Sequence, residues 1–202
     1  DTATGEATRV QGRRPASYWY KTQRTEGQLR LAGVGWAEEQ RDELHLVNKL
    51  RQDISRWRAS NYEGATQITK ELLRHWSRED RPRRLFFCQR EAAETVIYLA
   101  EILSAGRKPR FSPAFTERDL AQLVDLPNEP GLKPLTRFGC KMATGSGKTV
   151  VMAMLIAWSL CNRGRVPGDS RFPSAILVCC PNLTVKERLQ VLRPDSPDNY
   201  YA

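Results

Sequence analysis

The stretch KMATGSGKTVVMAMLIAW, residues 141–158, decides the fold because it joins a glycine-containing loop to a run of apolar residues. Gly145 and Gly147 allow the backbone to turn tightly, and the apolar run that follows has the length and composition of a buried helix. The amino-terminal end of a helix carries about half a positive charge and free N–H groups, both of which favour an anion. The pattern therefore predicts a phosphate-binding loop at residues 143–149.

The segments around this loop have the pattern of a βαβ unit. Residues 138–142 read as a short strand, residues 148–161 as a helix that is apolar nearly all round, and residues 175–180 as an apolar strand that ends at Pro181. Strand, loop, helix and strand in this order predict a parallel sheet. The expected fold class is therefore α/β.

Triphosphate chemistry gives each residue of the loop a role. Lys148 would reach the β and γ phosphates of ATP, which also makes it the candidate catalytic residue, and the Thr149 hydroxyl would bind Mg²⁺. The common pattern has glycine where this chain has Met142, but the G-x-G-K-T core is intact. The remaining cofactor-binding candidates line the concavity of the loop: Thr144, Gly145, Ser146 and Gly147.

Ahead of the loop, the sequence predicts a helical extension. Residues 1–40 show no sustained period, and Thr66 is the candidate N-cap of the second helix. We expect residues 1–84 to form an amino-terminal extension, irregular and then helical, and residues 85–202 to begin the nucleotide-binding domain. Apolar spacing of three and four residues predicts helices at 41–58, 66–76, 89–103 and 117–124. The predicted buried face of the third helix consists of Ala92, Val96, Leu99, Ala100 and Leu103.

Hydrolysis needs a carboxylate at the end of a later strand. Two sequences ahead of the loop have a similar pattern of apolar and acidic residues. DELH, Asp42–His45, lies within the predicted helix 41–58, with Leu44 on its buried face. We therefore assign its carboxylates to the first turn of that helix. LAQLVD, which ends at Asp125, has the pattern of a short helix. Neither sequence is interpreted as catalytic.

Two further segments are candidates for ligand recognition. Gln89 follows Phe86 and Phe87, and its amide can pair with the N6 and N7 edge of adenine, although a surface glutamine is the more common alternative. After residue 180, a predicted helix start can hold a nucleic-acid phosphate, and a capped helix with solvated charges explains its residues equally well. Thr184 and Glu187 have the spacing of a capping box, and Asn182 and Lys186 belong to the same helix start.

Composition narrows the remaining classes of function. The net charge of +9 favours a polyanionic partner, with a solvated basic surface as the alternative. The five cysteines have no CxxC spacing and no paired histidines, so we interpret them as reduced core residues. The longest apolar run, Val150–Cys161, is shorter than a membrane span, and the polar start of the chain lacks a secretion signal. We expect a cytoplasmic protein.

Three of these sequences resemble motifs of superfamily 2 helicases: Gln89 behind its aromatics resembles the Q-type motif, MATGSGKT motif I and LVCCPNLTVKERLQVL motif Ia. Within that superfamily the chain is similar to the Res (restriction and helicase) subunits of type III restriction systems. The similarity rests on SYWYKT, LFFCQREAAETVIYL, GCKMATGSGKTVVMAMLIAW and PNLTVKERLQVLRPDSPDNYY, and it spans most of residues 17–201. It implies RecA-like lobes with ATP between them, translocation along DNA and a nuclease domain in the full protein.

The resemblance also implies roles for single residues. It assigns adenine recognition to Gln89, Mg²⁺ to Thr149, and triphosphate binding to Gly145, Gly147 and Lys148. It assigns contact with the DNA backbone to Asn182, Thr184 and Lys186. Whether a DNA methyltransferase subunit is a partner stays open.

The chain stops just after motif Ia, so we expect it to be the amino-terminal part of a DNA-dependent ATPase, a helicase or translocase from a restriction or other anti-phage system. The family's acidic box, coupling motif and arginine finger do not follow. We therefore expect neither ATP hydrolysis nor DNA unwinding from this chain alone. The alternative is a nucleic-acid-binding module with a structural or regulatory ATP site.

Overall fold

The computed structural model describes residues 13–21, 39–107, 109–125, 131–132 and 135–201. The chain divides into two compact units, residues 1–49 and 50–202, which are described separately. Within the described ranges, every helix is too short or too polar to cross a bilayer.

The first unit contains an antiparallel pair of strands. Strand β1, Ser17–Lys21, pairs with β2, Glu39–Glu43, so that Ser17 lies opposite Glu43. Side chains alternate between the faces of a strand, and the rings of Tyr18 and Tyr20 accordingly share one face, with centroids 5.6 Å apart. Helix α1, His45–Ala59, begins two residues after β2. Part of the segment predicted to be irregular is therefore extended and paired.

The predicted start of the first helix was wrong. Asp42 and Glu43 lie in β2 rather than in a first helical turn, and Asp42 accepts a hydrogen bond from the Tyr18 hydroxyl at 3.4 Å. Leu44 precedes α1 and is exposed instead of buried. The reason is that pairing with β1 uses the backbone groups of residues 39–43 that a helix would need.

The second unit is built mainly from helices. Helices α2 and α3 pack against α5 and against each other, while α4 packs against a π-helical turn that continues α3. The bounds are Gln67–Ser77 for α2, Phe87–Ile97 for α3, Tyr98–Leu103 for the π turn, Glu117–Ala121 for α4 and Lys148–Arg165 for α5. The carboxyl-terminal part holds α6, Leu183–Arg188, and a 3₁₀ turn, Leu189–Leu192.

Aromatic and branched side chains fill the core of this unit. The Trp57 ring is edge-on to Tyr62 at 5.0 Å and tilted to Tyr98 at 5.3 Å. The Trp158 ring on α5 meets Phe172 edge-on at 5.3 Å. Such pairs favour these angles because the face of a ring is electronegative and its edge electropositive. Other core residues include Ile54, Leu73, Trp76, Ile97, Ile102, Phe115 and Met154.

The helices predicted from apolar periodicity are present, but not all of their ends lie where they were predicted. Thr66 caps α2 as predicted, because its hydroxyl accepts from the Thr69 N–H. The helix predicted at 117–124 ends at Ala121, and Val124–Asp125 instead pairs as a short antiparallel strand, β3, with β4, Leu135–Thr136. The apolar sequence that ends at Asp125 is therefore only partly helical.

The predicted buried face of the third helix was correct at Leu99 but one residue out of register within α3. Ala93 and Ile97 are buried, whereas Ala92 and Val96 are only half-buried. The buried face also includes Glu94 and Glu101, whose charge hides it from an apolar pattern. The π turn shifts the phase further, because it adds a residue to the helical repeat.

Glu101 joins three elements of the second unit. Its Oε1 accepts from the Thr66 N–H at 2.5 Å, and its Oε2 accepts from the Thr69 hydroxyl at 2.7 Å and the Trp158 indole N–H at 3.1 Å. Asn162 on α5 extends the network by donating to the Thr69 hydroxyl at 3.1 Å. A buried carboxylate is stable only when such donors replace its hydration. The π turn is thereby fixed to α2 and α5.

The parallel sheet expected around the loop is not shown. Residues 138–142 and 175–180 have no strand pairing, and the strand pairs in the described part of the chain are antiparallel. A parallel strand needs a neighbour and cover on both faces, yet Ile176, Leu177 and Val178 are exposed. The helical part of the predicted fold is present, and a RecA-like sheet remains a prediction.

The cysteines were predicted to lie in the core, and this was wrong. All five are free thiols, but only Cys180 is half-buried, and the others are exposed rather than in the core.

Replacing Glu101 should show how strongly the π turn depends on its carboxylate. Glu101→Ala removes the acceptor of the Thr66 N–H and the Thr69 hydroxyl, while the Trp158 N–H keeps its bond to the Thr69 hydroxyl at 3.0 Å. We therefore expect the free energy of unfolding to fall by about 3 kcal/mol in urea denaturation. Glu187→Ala, which removes an exposed carboxylate, is the control and should stay within about 0.5 kcal/mol. A loss below about 1 kcal/mol for Glu101→Ala would show that the network does not stabilise the unit.

Candidate nucleotide-binding site

Residues 143–147 form a tight turn at the start of α5. The Ser146 N–H and hydroxyl both donate to the Ala143 carbonyl, at 3.3 and 2.7 Å. Gly145 and Gly147 have φ angles of 77° and 81°, a left-handed region that other residues reach only with strain. Gly147 is the N-cap of α5, and its carbonyl accepts from the Val150 N–H at 2.9 Å. The turn therefore leads into the amino-terminal end of α5, as the sequence predicts.

The Lys148 side chain folds back over this turn. Its ammonium donates to the carbonyls of Met142 and Ala143, at 3.2 and 2.9 Å. The side chain is exposed, and the ion pairs found among the described residues do not include it. Neutral carbonyls are weaker acceptors for an ammonium than a phosphate oxygen is. The charge of Lys148 is thus positioned at the loop and available to an anion.

The other loop candidates lie together at the same helix end. Thr144 and Gly145 are exposed, while Ser146 and Thr149 are half-buried. Among the described residues, no group of three or more His, Cys, Asp or Glu could hold a metal ion. A Mg²⁺ here would be held by the Thr149 hydroxyl together with phosphate oxygens and water, which suits the few protein ligands that Mg²⁺ usually takes.

Gln89 contacts the loop directly. Its side-chain N–H donates to the Ser146 carbonyl at 3.0 Å, and its Oε1 accepts from the Phe86 N–H at 2.8 Å. The residue is 5% exposed. A Cβ added to Gly147 would overlap the Gln89 amide nitrogen. Glycine is therefore favoured at 147 by the backbone angle, and a larger residue would also displace the Gln89 amide.

Sequence reasoning missed this contact. It placed Gln89 at a helix start and near a base, but nothing in the spacing links it to a loop 57 residues later. Two aromatic rings next to it, Phe86 and Phe87, are 62% and 48% exposed. The Arg58 guanidinium lies 5.5 Å from the Phe87 ring centroid, within range of a cation–π contact.

A buried carboxylate fixes the helix that carries Gln89. Glu94 accepts two hydrogen bonds from Arg58, at 3.0 and 2.5 Å, and one from the Tyr62 hydroxyl at 2.8 Å. Burial and the neighbouring Glu94 raise the pKa of Tyr62 to about 12, so the phenol stays protonated and keeps donating. Helix α3 is thereby tied to the end of α1 and to the turn after it.

The second candidate surface differs from the prediction in its cap. The Asn182 side chain caps α6 by accepting from the Val185 N–H at 2.9 Å, so the predicted capping box of Thr184 and Glu187 was wrong. Thr184 and Lys186 are exposed. Lys186 also borders a groove of about 380 Å³ between α5 and residues 174–180, which form neither helix nor strand.

Comparisons with protein-family models, with curated proteins and with solved structures found no match for this chain. The resemblance to helicase motifs therefore stays a prediction.

The two glycines of the loop offer a matched test of its geometry. Gly145→Ala adds only backbone strain, since nothing lies within 4 Å of its Cβ position, and should lower the free energy of unfolding by about 1 kcal/mol. Gly147→Ala adds overlap with Gln89 and should cost at least about 1 kcal/mol more. Urea denaturation of both variants measures the difference. Equal losses of unfolding free energy would mean that the Gln89 amide does not limit the space at position 147.

Proposed function

We propose that residues 143–149 bind the triphosphate of ATP with Mg²⁺. The observation that carries this proposal is the position of the Lys148 ammonium, 2.9 Å from the Ala143 carbonyl at the amino end of an 18-residue helix. The first N–H groups of a helix have no carbonyl one turn earlier, so they are free to bind an anion. Ammonium, helix end and two left-handed glycines together form the kind of concavity that a triphosphate fits.

Within this site, each side chain has a separate task. Lys148 would exchange its carbonyl contacts for the β and γ phosphate oxygens and balance the charge that develops when water attacks the γ phosphate. Thr149 would hold Mg²⁺, which would supply positive charge against the phosphates. Thr144, Gly145, Ser146 and Gly147 contribute backbone contacts. Turnover also needs a carboxylate that positions water, and it belongs to the whole ATPase in this proposal.

The wider proposal is that the chain is part of a DNA-dependent ATPase of the helicase or translocase type. The net charge of +9 and the exposed Lys186 beside the Asn182 cap support contact with the DNA backbone. The sequences around Gln89, the loop and α6 support a restriction subunit or another anti-phage nuclease system in the cytoplasm. A DNA methyltransferase subunit is the partner that such a system would add.

The proposed role of Lys148 can be tested by titration with a fluorescent ATP analogue in the presence of Mg²⁺. Lys148→Ala should weaken binding by about 10- to 100-fold, because a hydrogen bond from a charged group contributes about 1.5–3 kcal/mol. Lys141→Ala removes an exposed lysine upstream of the turn and should bind like the wild type. Unchanged affinity in Lys148→Ala would remove the loop from the nucleotide site.

Contact between Lys186 and a DNA phosphate predicts a change in salt dependence. Lys186→Ala should lower the affinity for duplex DNA and reduce the slope of log K against log salt by about one unit. Arg118→Ala, which removes an exposed cation from α4, should leave the slope unchanged. A slope that is identical in wild type and Lys186→Ala would place Lys186 outside the DNA path.

A further inference from the structure

We infer that Gln89 positions the phosphate loop and does not read adenine, so that the proposed site accepts nucleoside triphosphates whatever their base. The inference rests on the proposed function of residues 143–149, and it departs from the role that the helicase resemblance gives to Gln89.

Both polar atoms of the Gln89 amide already have a backbone partner, and the residue is too buried for its second N–H and second lone pair to reach a base without turning. Reading adenine needs the amide N–H and oxygen to face the base together. Here the N–H faces the Ser146 carbonyl and the oxygen faces the Phe86 N–H, with the residue 5% exposed. Turning the amide to a base would break both bonds and leave two backbone groups unsatisfied, which is costly for groups shielded from water.

The bond to Ser146 sets the direction of an N–H group in the loop. In a trans peptide the C=O and the following N–H point to opposite sides of the chain. Because the Ser146 carbonyl faces Gln89, the Gly147 N–H points away from α3. That group is the kind of donor a phosphate loop uses. Without the bond, the glycines on both sides of Ser146 would let this peptide rotate.

The support for Gln89 is rigid. Glu94, further along the same helix, is held by Arg58 and by the Tyr62 hydroxyl. Helix α3 also packs against α5, whose first residue is Lys148. Gln89 therefore fixes the loop relative to a helix that is itself anchored, which is a positioning role.

The exposed group next to Gln89 does not discriminate between bases. The Phe86 ring is 62% exposed and adjoins the amide through its own N–H. Stacking on an aromatic ring tolerates every base, because every base has a π face. Contacts of this kind add affinity without selecting adenine.

The test compares three ligands: Mg-ATP, Mg-GTP and inorganic tripolyphosphate, each titrated by calorimetry into the wild type, Gln89→Ala and the control Gln122→Ala, which removes an exposed amide. Wild type should bind ATP and GTP within about threefold, because base stacking is tolerant of sequence. Gln89→Ala should weaken all three ligands by the same factor, about fivefold for one lost hydrogen bond of about 1 kcal/mol. Gln122→Ala should match the wild type.

Three other outcomes would contradict the inference or the proposed function. Loss of ATP affinity alone in Gln89→Ala, with tripolyphosphate unchanged, would show that Gln89 reads the base and would overturn the inference. No change for any ligand would overturn it as well. Wild type that binds none of the three ligands would refute the proposed function itself, which is a separate failure.

Gln89→Glu provides a check that does not depend on losing the side chain. The carboxylate that this substitution introduces has no donor for the Ser146 carbonyl when it is ionised, whereas its protonated form does. The tripolyphosphate affinity of the variant, relative to wild type at the same pH, should therefore be low at about pH 8 and recover toward about pH 5, nearer the ordinary pKa of a glutamic acid. Circular dichroism at each pH confirms folding. A ratio that is constant with pH would contradict the positioning role.

Discussion

The hydrogen bond from the Gln89 amide to the Ser146 carbonyl is the constraint on which the geometry of the loop depends. It joins the start of α3 to a turn that contains two left-handed glycines and whose internal bonds, from Ser146 and Lys148, end on the Ala143 carbonyl. It also adds to the preference for glycine at position 147, since a Cβ there would displace the amide from its bond to Ser146. One contact thus favours a residue type and sets the direction in which the loop presents its N–H groups.

Three buried carboxylates connect the helices of the second unit and so support this contact. Glu94 is held by Arg58 and Tyr62, and Glu101 by donors from α2 and α5. Asp53 accepts from two backbone N–H groups, of Ala114 and Phe115, both at 2.9 Å, and so fixes an irregular stretch to α1. Removing a charge from water is costly, and each of these groups offsets the cost with directed hydrogen bonds. The same bonds specify one arrangement of the helices.

The sequence predicts those features that are local. Helical spacing indicated most helices of the second unit, Thr66 was identified as a cap, and the glycine spacing indicated the turn before α5. These features could be predicted because a helix, a cap and a tight turn each depend on residues within a few positions of one another.

The features that depend on distant partners could not be predicted. Strand β2 forms because it pairs with β1, far earlier in the chain, and Gln89 meets a loop 57 residues later. Periodicity cannot distinguish a short apolar strand from other apolar segments, and residues 175–180, predicted to be a strand, are unpaired. The predicted buried face of the third helix was wrong except at Leu99, because the buried residues of α3 and the π turn include Glu94 and Glu101.

The central claim is that the turn at residues 143–149 is where a triphosphate binds. Hydrogen–deuterium exchange with and without saturating Mg-ATP measures this directly, because bound phosphate slows exchange of the amides that donate to it. We predict slower exchange confined to residues 144–149 and to the first turn of α5. Unchanged exchange in this loop at a concentration that saturates ATP binding, with protection elsewhere in the chain, would contradict it.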